Sequence, residues 1–205
     1  MKTELSTAQP NVNGRTKYIT KVALLSAIAF ILLFLETNIP FMPTFLKIDL
    51  SEIPAIIGTV TLGPVAGVII EFIKNVLHAP MTQTQFIGEI ANFVLGSIYV
   101  LSIWAIYRGN KDKFDAKKLI KALAFGTLIL ALSAAIINYL VLLPLYAYVL
   151  GFKTSAVVAG AKLVNPMIKN VMSLIVVGII PFNIIKGIII GALSFGIFSR
   201  VKNYL

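Results

Sequence analysis

The sequence predicts an all-α integral membrane protein of six transmembrane helices with both termini in the cytoplasm. Three observations predict it. First, 58% of the 205 residues are hydrophobic and only 13% are charged, against roughly 45–50% and about 25% in soluble domains. A particle of this size buries only about 70% of its chain surface, so the surplus must face lipid. Second, the apolar residues fall into runs broken by proline, glycine and charge. Third, the basic residues are clustered, and 18 Lys and Arg against 8 Asp and Glu give a formal charge of +10. In so apolar a chain this excess reads as a topology signal facing an anionic leaflet, not as a nucleic-acid surface.

Residues 1–17 are polar and read as a disordered cytoplasmic tail, leaving 18–205 as the membrane domain. The run 22–35 follows Arg15, Lys17 and Lys21 and lacks a small-residue cleavage site, so it reads as a first span and not as a signal peptide. Three basic groups hold 12 of the 18 cations: Lys2, Arg15, Lys17 and Lys21; Arg108, Lys111, Lys113, Lys117, Lys118 and Lys121; Arg200 and Lys202. The positive-inside rule places all three in the cytoplasm, so an even number of crossings separates each from the next. Pro40/Pro43, Gly63-Pro64 and Ala79-Pro80 divide the first interval into four spans, 22–37, 53–62, 65–77 and 86–107. The second and third are short for a bilayer that needs about 20 residues. The second interval takes two spans, 119–143 and 182–198, with 160–180 as a long outer connection packed on the bundle.

Polar side chains at apolar depth are costly unless they are paired or used. Asn138 lies about one and a half turns before Pro144. Asn183 and Lys186, three apart, share a helix face at the outer end of the last span. Two carboxamides and an ammonium at one outer level suggest a small-molecule site open to the outside. An Asn amide matches an alternating imide edge. Lysine adds a donor for carbonyl oxygen. Tyr139, Tyr146, Tyr148, Phe45 and Phe182 are aromatic groups fit to cover a flat ring. The absence of an arginine cluster argues against a phosphorylated cargo. The outer loop 40–51, stiffened by Pro40 and Pro43, suits a lid, and Ser51-Glu52 with Pro54 forms a helix start. Glu71 and Lys74 read as an ion pair within one helix. Ala23 and Ala27 form a flat stripe that another helix can approach closely. Gly63/Gly67 and Gly187/Gly191 read as internal packing.

The chain has no cysteine and one histidine, His78, so thiolate metal sites, disulfides and iron–sulfur clusters are excluded and a histidine-based metal site has almost no material. No phosphate-binding glycine loop, HExxH or GxSxG motif occurs, so neither ATP hydrolysis nor those enzyme chemistries is expected. These residues alone leave open a stand-alone membrane carrier or enzyme built on Glu71, Lys74, Glu89 and His78.

The segments Phe45-Leu46-Lys47-Ile48-Asp49-Leu50-Ser51-Glu52-Ile53-Pro54, Thr61-Leu62-Gly63-Pro64 and Pro181-Phe182-Asn183-Ile184-Ile185-Lys186-Gly187 resemble the riboflavin-specific substrate-binding (S) components of energy-coupling factor (ECF) transporters. The resemblance extends from about Lys17 to Lys202. It implies the six-helix S-component fold in a bacterial plasma membrane, with riboflavin as transported ligand, no cofactor and no catalysis. It also implies vitamin contacts from Asn138, Asn183 and Lys186 together with Thr44, Phe45, Leu46, Lys47 and Asp49 of the first loop. The Ala23/Ala27 stripe would dock a shared transmembrane coupling subunit carried on two cytoplasmic ATPases. Thiamin, biotin or folate is the alternative cargo within such transporters.

Overall fold

The computed structural model describes residues 12–82, 85–108, 114–151 and 153–201. Residues 1–11 of the expected tail, and Lys111, Lys113 and Lys202 of the basic groups, lie outside them.

Helix α1 (Val12–Leu33) begins inside the segment read as tail. An outer loop follows, pinned by a two-residue antiparallel ladder of β1 (Thr37–Asn38) with β2 (Lys47–Ile48). Then come α2 (Glu52–Leu62), α3 (Pro64–His78) and α4 (Ile87–Tyr107). Gly63, at φ +103°, makes the α2–α3 turn in a backbone region that disfavours any side chain. The second half holds α5 (Ala116–Ile137), α6 (Leu143–Leu150), α7 (Thr154–Val164), α8 (Val171–Ser173) and α9 (Ile180–Val201).

Four helical stretches are long and apolar enough to cross a bilayer: 14–33, 87–107, 116–149 and 171–200. The expectation of six is therefore met only in part, because α2 has 11 residues and α3 has 15. For α2 the reason is burial. Every residue of α2 from Glu52 to Val60 is buried, within a bundle where α2 packs on α1, α3, α4 and α9. An enclosed helix has no lipid thickness to match.

Both long helices of the second half correct the expected boundaries. Pro144 does not end the fifth span. Instead the helix widens into a π turn at Asn138–Leu142 and continues through Pro144 to Leu150. The last helix starts eleven residues before Phe182, at Val171, so 171–180 is not loop. A capping box between Asn170 and Ser173 starts it, and a π turn at Leu174–Ile179 precedes Pro181. In each case the carbonyl four residues before the proline, Leu140 or Val177, lies within the widened turn. A proline ring would otherwise strike that carbonyl. Of the expected connection 160–180, only the end of α7 and 165–170 precede the last helix.

Ring contacts fix the two ends of the bundle. Phe34 packs edge-on against His78, and His78 Nδ1 lies 2.9 Å from Glu89 Oε1. The end of α1, the end of α3 and the start of α4 therefore meet at one face. Phe114 packs on Phe195 and Phe198, joining the start of α5 to the end of α9 at the opposite, basic face. The main core, including Ile56, Ile70, Tyr99, Ile103, Leu119 and Ile190, lies between these ends. A second apolar cluster holds Ala134, Leu143, Ile168, Leu174 and Ile179 toward the outer face. Small residues set the helix spacing. A Cβ on Gly67 would fall 1.8 Å from Thr59 Oγ1, and one on Gly187 would fall 2.6 Å from Thr127. Gly67, Gly187 and Gly191 thus serve helix packing, whereas Gly63 has no neighbour within 4 Å and serves the turn instead.

A candidate ligand site beneath the outer loop

Lys186, on the outer half of α9, reaches across to the end of the first loop. Its Nζ lies 3.2 Å from Asp49 Oδ2 and 3.8 Å from Glu52 Oε1. Asp49 Oδ1 accepts hydrogen bonds from the backbone N–H of Ser51, at 2.9 Å, and from the Ser51 hydroxyl. The Ser51 hydroxyl in turn accepts from Lys74 Nζ at 2.8 Å. Lys74 also pairs with Glu52 at 3.3 Å and Glu71 at 2.9 Å. Asp49, Ser51, Glu52, Glu71, Lys74 and Lys186 thus form one buried network linking the loop, α2, α3 and α9. Lys74 and Glu71 are fully buried.

The ladder and the tight Asp49–Ser51 turn carry Asp49 inward. Burial opposes its ionisation, but Lys186, Lys74 and the Ser51 hydrogen bonds outweigh that cost and hold its carboxyl well below the usual carboxylate range. Ser51 stands at the N-cap position of α2 but makes no capping bond with its side chain. Its hydroxyl serves the network instead.

The two amides behave alike. Asn138 Nδ2 donates to Ala134 O and Asn183 Nδ2 donates to Ile179 O, each at 2.8 Å and one turn back on its own helix. Each amide therefore retains its carbonyl oxygen and a second N–H for another partner. Ala134 and Ile179 belong to the same outer apolar cluster, and Leu46 packs against it. Lys186 and Asp49 thus join the loop to α9, Leu46 packs on the cluster that receives Asn183, and Asn138 stands on the facing helix one turn beyond Ala134.

One expectation needs correction. The contacts of Gly187 with Thr127 and of Gly191 with Leu123 set the antiparallel register of α5 and α9. That register sets Asn183 opposite Ala131 and Asn138 opposite Val176. Asn138 therefore stands about 10 Å farther out than Asn183, at 1.5 Å per residue. The groups form a column along the helices and not a ring at one level. A spacing rule within each helix carries no register between helices, so sequence could not reveal this.

The rest of the loop divides. Lys47 pairs with Glu36 across the hairpin and is turned away from the network. Thr44 and Phe45 are exposed. Pro43 packs near Gly178 in the second π turn, and Phe41 O accepts from Asn165 Nδ2 at 3.3 Å. The loop is therefore fastened to the last helix and to the connection that precedes it. Phe182 is buried, whereas Tyr148 is largely exposed. In sequence Glu52 reads only as part of a helix start, and Glu71 with Lys74 only as a local pair. Their apolar surroundings are the signal that could have pointed to a larger network. Ala23 and Ala27 are both exposed on α1.

Among the described residues no group of three or more His, Cys, Asp or Glu could hold a metal ion. The profile of the family described as "ECF transporter, substrate-specific component" matches residues 17–198. The chain is 38% identical to "Riboflavin transporter RibU" of Staphylococcus aureus, over 95% of this chain and 98% of that protein. It is 34% identical to "Riboflavin transporter FmnP" of Bacillus subtilis, over 93% and 95%. A solved structure described as the S component of a bacterial ECF transporter superposes with a TM-score of 0.72. It is 35% identical, over 93% of this chain and 98% of that one.

Proposed function

The chain belongs to the substrate-specific components of ECF transporters, and on that premise we propose that it captures riboflavin at the outer face of a bacterial plasma membrane. The observation that carries this reading is the column Asn138, Asn183 and Lys186, with two back-bonded amides still able to donate and accept. Riboflavin has an imide edge to match an Asn, carbonyls to match a Lys, and a fused ring long enough to use an axial column. Leu46 and its loop cover the ring, with Thr44 and Phe45 at the rim. Asp49 holds Lys186 in place from the loop side. Lys47, paired with Glu36, holds the hairpin and contributes through loop shape.

In this reading α2 and α3 complete six membrane helices, with both ends of the chain inside. The protein is a binder and not an enzyme. Uptake is driven by a shared transmembrane coupling subunit on two cytoplasmic ATPases, which must distinguish loaded from empty protein. The exposed Ala23 and Ala27 surface supplies that contact, since two small residues four apart admit a close helix.

The test is titration of purified protein with riboflavin, read by quenching of flavin fluorescence. Stoichiometric quenching that thiamin, biotin and folate do not compete away supports the proposal. Absence of quenching, or displacement by one of those vitamins, refutes it.

A further inference from the structure

We infer that the lipid-facing groove between α5 and α9 is a binding site for one anionic phospholipid of the cytoplasmic leaflet. The groove has a volume of about 460 Å³ and is walled by Ile120, Leu128, Ile184, Ile188 and Phe195. Its floor is made where Gly187 and Gly191 meet Thr127 and Leu123. The Thr127 hydroxyl donates to Leu123 O, so the floor offers no free donor. A groove this apolar, between two membrane-crossing helices, is suited to a hydrocarbon chain and not to water.

Length and charge select the lipid. From Ile120 to Leu128 the groove runs about 12 Å along α5, close to one leaflet's share of a hydrocarbon core of about 30 Å. Lys117 lies three residues before Ile120 and Lys121 three before Ala124, so both continue the groove-lining face of α5 toward the basic end. Both are exposed, with Lys118 and Arg200 also exposed at that end. The nearby acid, Asp115, is engaged as the N-cap of α5 by accepting from the Lys118 backbone N–H. A chain seated in the groove would therefore bring its phosphate to Lys117 and Lys121 at headgroup depth.

The experiment incubates the full chain, extracted in detergent, with equimolar phosphatidylglycerol and phosphatidylcholine, and counts retained lipid by native mass spectrometry. Wild type is expected to retain one phosphatidylglycerol with about thirtyfold preference, at about fivefold per lysine. Lys117→Gln with Lys121→Gln should bring the two lipids near parity. Ala192→Phe and, from the opposite wall, Ala124→Phe should each abolish retention, and both positions are exposed, so folding is spared. Equal retention of the two lipids by wild type overturns the inference. So does undiminished phosphatidylglycerol on both groove-filled variants. In the assembled transporter, a photoreactive group at Ile188 should label lipid, and labelling of the coupling subunit in its place also overturns it.

Discussion

Replacing Lys186 by methionine removes a charge while keeping most of the side-chain volume, and the network around it determines the cost. Asp49, Glu52 and Glu71 face Lys74 and Lys186. Without Lys186 the three carboxyl groups share one cation. Lys74 cannot compensate, since Ser51, Glu52 and Glu71 already engage it at 2.8–3.3 Å. Breaking a buried pair by removing one partner costs about 3–5 kcal/mol. The Lys186 side chain retains 12% exposure, and Asp49 keeps its two Ser51 hydrogen bonds, so the expected loss is at the lower end, about 3 kcal/mol. Asp49→Asn should be milder, about 1.5 kcal/mol, as for a charge-assisted hydrogen bond. Lys186 keeps Glu52 at 3.8 Å. The double variant should then cost clearly less than the sum, because the uncompensated charge that dominates Lys186→Met is gone. Unfolding of the three variants in detergent measures all of these. If Asp49→Asn proved as costly as Lys186→Met, or if the two effects added within about 0.5 kcal/mol, the ion pair would not be what connects the loop to the last helix.

Asn183→Ala should weaken riboflavin binding by roughly 1–3 kcal/mol, as for a lost buried hydrogen bond, and flavin titration checks it. Bulky residues at Ala23 and Ala27 should leave that titration unchanged while abolishing ATP-driven uptake in vesicles containing the coupling module. The depressed carboxyl of Asp49 stabilises the folded loop above its unfolded value of about 3.9 and loses that contribution as pH falls below it. Loop protection, followed by limited proteolysis, should therefore be constant from pH 5 to 8 and decline only in stronger acid, with Asp49→Asn removing the acid limb.

The parts of the fold legible in sequence are those set by local physics. Apolar runs place α1 to α4, the basic groups mark one end of the bundle, and Gly63-Pro64 marks a turn that only a positive φ allows. The prolines mislead because their usual effect has an escape. Pro144 and Pro181 both read as helix ends, yet each sits just after a widened turn that takes the obstructed carbonyl out of its path. That escape depends on neighbours able to hold a π turn, which Leu174, Ile175 and Ile179 do from the outer apolar cluster. No local pattern reports this.

The same division runs through the site. Asn183 and Lys186 are legible because three residues on one helix fix a shared face. The partners of Lys186 are not, since Asp49 lies 137 residues away in sequence and Glu52 reads locally as an ordinary first-turn acid. The apolar runs do show that Glu71, Lys74 and Lys186 sit where each is costly alone. That cost by itself implies mutual pairing, without saying which group meets which. Three-dimensional geometry supplies the partners: the pairing runs through Ser51 and joins the loop to the last helix. The loop and Lys186, which the proposed function places in the riboflavin site, are therefore mechanically one unit. Any group that competes with Asp49 for Lys186 also acts on the loop.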